Sequence, residues 1–162
     1  VIAVVVSDRR GWLWGAAWTV ATTIGVVTPL LARVAWEGRA ELIAADAAAA
    51  AGRVDLEIVH LGRAVRWRVP IGGSDEAAIG RLLAIGMGSE GAMALLACRE
   101  LRSALWATRT WAVADDEALA LANRRIAALM AAQERAFGTD LSGVGAQEAY
   151  HLALLEAGPG DR

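Results

Sequence analysis

The sequence predicts an α+β domain, a β-sandwich flanked by helices, on three observations. The first third is dense in β-branched residues, from Val4–Val6 through Thr19, Val20, Thr22, Thr23, Ile24, Val26 and Val27. Val54, Leu56 and Ile58 alternate with Asp55 and Glu57 ahead of a glycine turn. Two stretches, Ala92–Trp106 and Asp115–Phe137, run without glycine or proline and read as helices.

Taken in order, Val1–Ser7 and Trp12–Ala17 read as a hairpin turned by Asp8-Arg9-Arg10-Gly11, apolar on both faces and so buried between layers. Thr19–Val27 and Leu30–Trp36 continue in extended character, and Glu41–Ala45 adds a short strand. Asp46–Ala51 gives a turn or two of helix stopped at Gly52. Val54–Leu61 and Val65–Val69 pair as a second hairpin, closed by Pro70 and Gly72-Gly73. Leu82–Ile85 is strand-like and leads through glycines into the helix Ala92–Trp106. Asp115-Asp116-Glu117 places carboxylates at the start of the next helix, where free amides and the dipole favour them, and Gly138 ends it. Ala149–Leu155 suits helix or strand.

The 162 residues suit one domain spanning 1–162. All 16 basic residues are arginine and the net charge is −2, which gives nucleic acid no electrostatic foothold. The single cysteine, Cys98, excludes an intrachain disulfide and a multi-cysteine metal cluster. It reads as a small buried hydrophobe, compatible with a reducing, cytoplasmic location.

Gly11–Ala32 carries no charge and is long enough to cross a bilayer, with Trp12 and Trp14 near its start and Trp36 just beyond it. Its β-branched residues, Pro29 and three glycines favour buried strands instead, and the first apolar run lacks the basic flank and cleavage site of a signal peptide. A membrane-spanning helix with a soluble α-rich domain therefore stands as an alternative.

Gly86, Gly88 and Gly91 spell G-x-G-x-x-G, with Asp115 placed like a ribose-binding acid. Only 47 residues follow Asp115, too few to complete a doubly wound sheet. A methyltransferase reading shares that defect and finds Ala84 where an acid is usual. Leu83-Ala-Ile-Gly-Met-Gly-Ser-Glu-Gly-Ala-Met-Ala instead resembles the strand, glycine turn and helix of proteasome β subunits and the bacterial HslV peptidase. The hairpin Val54–Val69 just upstream, the N-terminal hairpin, Pro29-Leu-Leu-Ala-Arg-Val34 as third strand and Asp140-Leu-Ser142-Gly143 follow in that family's order, with Glu148–Ala157 as a closing strand.

The resemblance implies an N-terminal nucleophile (Ntn) hydrolase fold, an αββα sandwich with one helical layer reduced, because only about nine residues separate Ala45 from Val54. In that family an N-terminal threonine attacks, its α-amine serves as base, and a lysine and an aspartate tune it. Here Val1 (or Ile2) stands at the nucleophile position, Ala17 at the aspartate position and Leu30 at the lysine position, and the chain has no lysine. Gly86, Gly88, Asp140, Ser142 and Gly143 match the family pattern, the glycine turn as the oxyanion donor.

The expectation is a proteasome-like subunit without threonine-peptidase activity, acting through assembly as a homo-oligomer or with a partner subunit. An active hydrolase recruiting Thr22, Thr23 or Ser142 is the alternative enzyme reading. No cofactor or metal is implied. His60 and His151 read as satisfied structural histidines, Asp140 and Ser142 equally as a polar turn, and the seven tryptophans as core filling.

Overall fold

The computed structural model describes residues 9–68, 73–110, 115–136 and 144–156, and every element among them is a helix. They are α1 (Arg9–Ala50), α2 (Val54–Arg66), α3 (Ser74–Gly88), α4 (Gly91–Thr108), α5 (Asp116–Ala136) and α6 (Val144–Glu156). No strand occurs among the described residues, so the α+β β-sandwich and its proteasome-like, Ntn hydrolase reading are overturned.

α1 is 42 residues long, about 63 Å at 1.5 Å per residue. Its first half takes in Thr19–Val27, which argued for strands; Val1–Ser7, also read as a strand, lies outside the described residues. Three of the four threonines of α1 fit a helix because their hydroxyls bond backward along it: Thr19 Oγ1 to the Gly15 carbonyl (2.9 Å), Thr22 to Trp18 (2.8 Å) and Thr23 to Thr19 (2.8 Å). Pro29 lies inside the same helix, as proline does in apolar spans more readily than in soluble helices. β-branching was therefore a misleading signal here, because it reports fit to a pleated surface and not an intrinsic bar to helix.

The second half of α1 behaves differently. Gly38, Ala45 and Ala48 are buried and Leu42 packs against the core, a 3–4 spacing that faces one side of the helix to a bundle. The helix ends in a Schellman arrangement: Gly52 takes φ 69°, its N–H bonds the Ala49 carbonyl (2.9 Å), and the Arg53 N–H bonds Ala48 (2.9 Å). The stop expected at Gly52 is there; the strand expected at Glu41–Ala45 is helix.

α2 (Val54–Arg66) replaces the predicted hairpin Val54–Val69 over its described residues, 54–68; Val69, Pro70 and Gly72 lie outside them. The alternation of Val54, Leu56 and Ile58 is incidental. The buried positions are Glu57, Ile58, Leu61, Gly62, Ala64 and Val65, which recur at helical spacing. α3 likewise absorbs Leu82–Ile85, burying Ala78, Ile79, Leu82 and Gly86 on one face. α4 and α5 match the two helices read from sequence, and the Asp115 carboxylate accepts the Ala118 N–H (3.1 Å) as an N-cap. α6 decides the ambiguous last segment, and the closing strand at Glu148–Ala157 is not formed among its described residues.

From residue 33 on, the helices run alternately up and down. Gly38 meets Trp67, Gly86 meets Cys98, and Arg102 reaches Asn123, so each of these neighbouring pairs is antiparallel. α2 and α4 lie side by side in parallel, with Gly62 against Glu100 and Arg66 against Ser103. Ile58, Leu61, Val65, Leu82, Cys98, Leu101 and Ile126 form the fully buried centre, and alanines fill the rest. The small side chains let the helices approach closely.

Candidate functional site

The feature that distinguishes this molecule is the exposed first half of α1. Every described side chain from Trp14 to Arg33 is exposed, including Trp14 and Trp18 (69% each), Ile24 (59%), Val26 (64%) and Leu30 (60%). Nothing lies within 4 Å of a Cβ built on Gly15 or Gly25. α1 meets the length and hydropathy of a membrane span within Trp14–Ala50, and none of its most apolar window is buried in the bundle. A run of apolar exposure this long exceeds what a water-soluble monomer presents.

Several of the bundle's polar side chains tie helices together. Arg81 on α3 binds Asp46 on α1 and Glu57 on α2, the latter at 2.6 Å. Burial alone would lower the Arg81 guanidinium, but the hydrogen bonds and charge of these two carboxylates outweigh it and hold its pKa above the ordinary arginine value. Arg102 donates to Asn123 Oδ1 (3.1 Å) and to the Leu155 carbonyl (3.0 Å), joining α4, α5 and the last turn of α6. Its pKa is lowered by burial. His60 Nδ1 lies 2.6 Å from Glu41, and His151 Nε2 lies 2.9 Å from Glu134. Each histidine thus pairs with a carboxylate from a neighbouring helix, through contacts invisible at sequence spacing.

The glycine turn has a structural explanation. A Cβ on Gly86 would stand 2.6 Å from the Cys98 sulfur, so this glycine is what lets α3 close on α4. Gly88 ends α3, and Gly91 opens α4 at φ 62°, a backbone conformation that suits glycine. Arg125 from α5 covers the reversal, donating Nε–H to the Gly86 carbonyl (3.2 Å) and Nη2–H to the Ser89 carbonyl (3.0 Å). It satisfies carbonyls left open at the end of α3. The segment is a helix–helix turn capped by arginine, and the dinucleotide and oxyanion readings of Gly86, Gly88 and Gly91 lose the strand that both require.

Beside that turn lies an open groove of about 560 Å³ between α4 and α5, floored by Ala92, Leu95, Leu129 and Ala132 and edged by Glu90, Arg125 and Gln133. It sits at the end of the bundle opposite the exposed half of α1. Cys98 is buried nearby; desolvation pushes its thiol pKa up, only partly offset by Arg125, so it stays protonated at neutral pH.

The family positions read from sequence do not converge. Ala17 and Leu30 are both exposed on the first half of α1, while Gly86 and Gly88 are in the bundle. Val1, Ile2, Asp140, Ser142 and Gly143 lie outside the described residues. Thr22 and Thr23, the alternative nucleophiles, are bonded back to their own helix. Sequence reading missed Arg81, Arg102 and Arg125, whose partners are 21 to 53 residues away. No protein-family model, curated protein or solved structure matches the chain.

Proposed function

We propose that this chain is a single-span membrane protein in which residues 14–32 of α1 cross the bilayer. The remainder of α1 and α2–α6 form a helical domain held at the membrane surface, which acts by binding and not by chemistry. The observation that carries the reading is the change of character within one unbroken helix. Its first half is apolar and uncovered on all sides, and its second half presents a single stripe to a packed core.

Three features support it. Residues 14–32 are 19 in number, about 28 Å of helix, close to the roughly 30 Å hydrocarbon thickness. The hydroxyls of Thr19, Thr22 and Thr23 are bonded internally, as lipid favours. Arg33 and Glu37 begin the charged stretch immediately after. The groove between α4 and α5, on the membrane-distal end, is a concave surface open to a partner. The test is extraction of membranes containing the full chain. It stays in the pellet through an alkaline carbonate wash and is released by detergent; release by carbonate overturns the reading.

A further inference from the structure

We infer that the span-proximal end of the bundle is seated in the headgroup layer of the bilayer by tryptophans, so that the domain lies on the membrane and does not stand off from it. This rests on the span proposed above. The observation is where the topology gathers the indoles. Trp36 follows the span on α1, Trp67 follows the last residue of α2, and Trp106 lies in the last turn of α4. Because α2 and α4 both run toward the exposed half of α1, these three elements bring their tryptophans to one end. The opposite end, around Gly52 and the α3–α4 turn, holds no tryptophan among the described residues.

Their heights above the bilayer core follow from helix geometry. Trp36 is four residues past the span and stands about 6 Å above its end. Trp67 lies level with Gly38, its Cβ 3.5 Å from where a Gly38 Cβ would be. That places it about 9 Å above the same point. Ser103 on α4 is bonded to Arg66 at 3.3 Å, and Trp106 is three residues further on. It is therefore about 4 to 5 Å closer to the span than that contact. The headgroup region is about 5–8 Å thick on each side of the core. Trp36 and Trp106 fall within it and Trp67 at its outer margin.

Exposure agrees with that placement. Trp36 is 73% and Trp67 40% exposed, although neither fills the core that a tryptophan ordinarily supplies. Trp106 is half-buried, with the Arg109 guanidinium 4.8 Å from its ring centre and its indole N–H buried without a hydrogen-bond partner, so the seating rests on Trp36 and Trp67. Exposed indoles such as Trp36 and Trp67, with an apolar ring and a polar edge, partition to the membrane–water boundary.

The occupant is a neutral lipid interface, because this end carries no excess of arginine over carboxylate. Arg66 pairs with Glu100 (2.8 Å), Arg68 with Asp75 (2.9 Å) and Arg109 with Asp116 (3.5 Å). Attraction to acidic lipid would need arginines in excess; Arg39, exposed and without a salt bridge, is offset by the exposed carboxylates of Glu76 and Glu117 at the same end.

The experiment uses the full chain with Cys98→Ala, reconstituted in phosphatidylcholine nanodiscs and carrying one fluorescent label. Labels are placed in turn at Trp67→Cys, Arg109→Cys, Arg53→Cys and Ile24→Cys. Nitroxide on the lipid headgroup quenches the first two several-fold more than the label at residue 53, equally at low and high salt, and acyl-chain nitroxide quenches the label at residue 24. Arg109 is exposed, so its variant folds even where loss of Trp67 is not tolerated. Labels at 67 and 109 no more quenched than at 53, with 24 quenched, overturn the seating and leave the span. An unquenched label at 24 overturns the span itself. Quenching at 67 and 109 that vanishes in high salt overturns recognition by the indoles.

Discussion

Replacing Ile24 by arginine separates a membrane span from a merely exposed helix. Ile24 is ten residues past Trp14 and eight before Ala32, so it sits near the midplane of the proposed span. It is 59% exposed and makes no contribution to the bundle core, so the substitution leaves the domain's packing untouched. On an insertion scale the swap exchanges about −0.5 for about +3 kcal/mol at the helix centre, a cost of about 3–4 kcal/mol. At 1.4 kcal/mol per decade, the inserted-to-uninserted ratio falls by a factor of about 10² to 10³. The assay is insertion into microsomes, scored by glycosylation of an acceptor tag placed on either flank. Ile43→Arg is the control, since Ile43 is likewise exposed (69%) but belongs to the bundle half of the same helix, and it should insert as the parent does. Ile24→Arg inserting as efficiently as the parent would refute the span. So would a loss of bundle stability from Ile24→Arg, because it would show that residues 14–32 have a protein partner.

Three further outcomes follow from the bundle. Gly86→Ala drives a methyl to 2.6 Å from the Cys98 sulfur and should destabilise by about 1–3 kcal/mol in urea unfolding. Made together with Cys98→Ala, the same change should become stabilising relative to Cys98→Ala alone by about 0.5–1 kcal/mol, since alanine is the better helix former; an unchanged sign would show the contact does not matter. Arg81→Ala leaves buried Glu57 without its cation and should cost about 1–3 kcal/mol, measured by thermal unfolding, while loss of less than a few tenths would show that water replaces the guanidinium. Cys98 has its folded pKa raised above the unfolded value, so the stability it contributes is complete below the ordinary thiol pKa of about 8.5 and is lost as pH rises toward the folded value. Urea unfolding across that alkaline window should show the decline, and Cys98→Ala should remove this component of it.

The legible parts of the sequence were those with long, uninterrupted patterns and local chemistry. α4 and α5 could be read because no glycine or proline interrupts them, and Asp115 announced its N-cap three residues before the amide it accepts. Gly52 announced the end of α1 because a left-handed residue there needs no distant partner. The errors arose where one local pattern admits two periods. Val54, Leu56 and Ile58 satisfy a strand over five residues, and only Leu61, Ala64 and Val65 show that the buried face repeats at 3–4. The β-branched run of α1 admits strand or helix, and the hydroxyl-to-carbonyl bonds that reconcile it with helix are unseen until the chain is folded. Once those strands were granted, Gly86, Gly88 and Gly91 took on the meaning of a family turn.

By itself, the sequence determined that residues 11–32 are uncharged and span-length, that the arginines are scattered, and that the single cysteine sits in an apolar helix. Tertiary structure alone decided what those features mean. It showed that the apolar half of α1 is left uncovered, whereas its second half is used by a core, a distinction that composition cannot make. It also matched Arg81, Arg102 and Arg125 to partners on other helices. It turned Gly86 from a suspected oxyanion donor into the point where two helices touch. The physical reason is the same in each case: burial and pairing are properties of surfaces brought together over tens of residues, while a sequence pattern reports only one turn or one strand at a time.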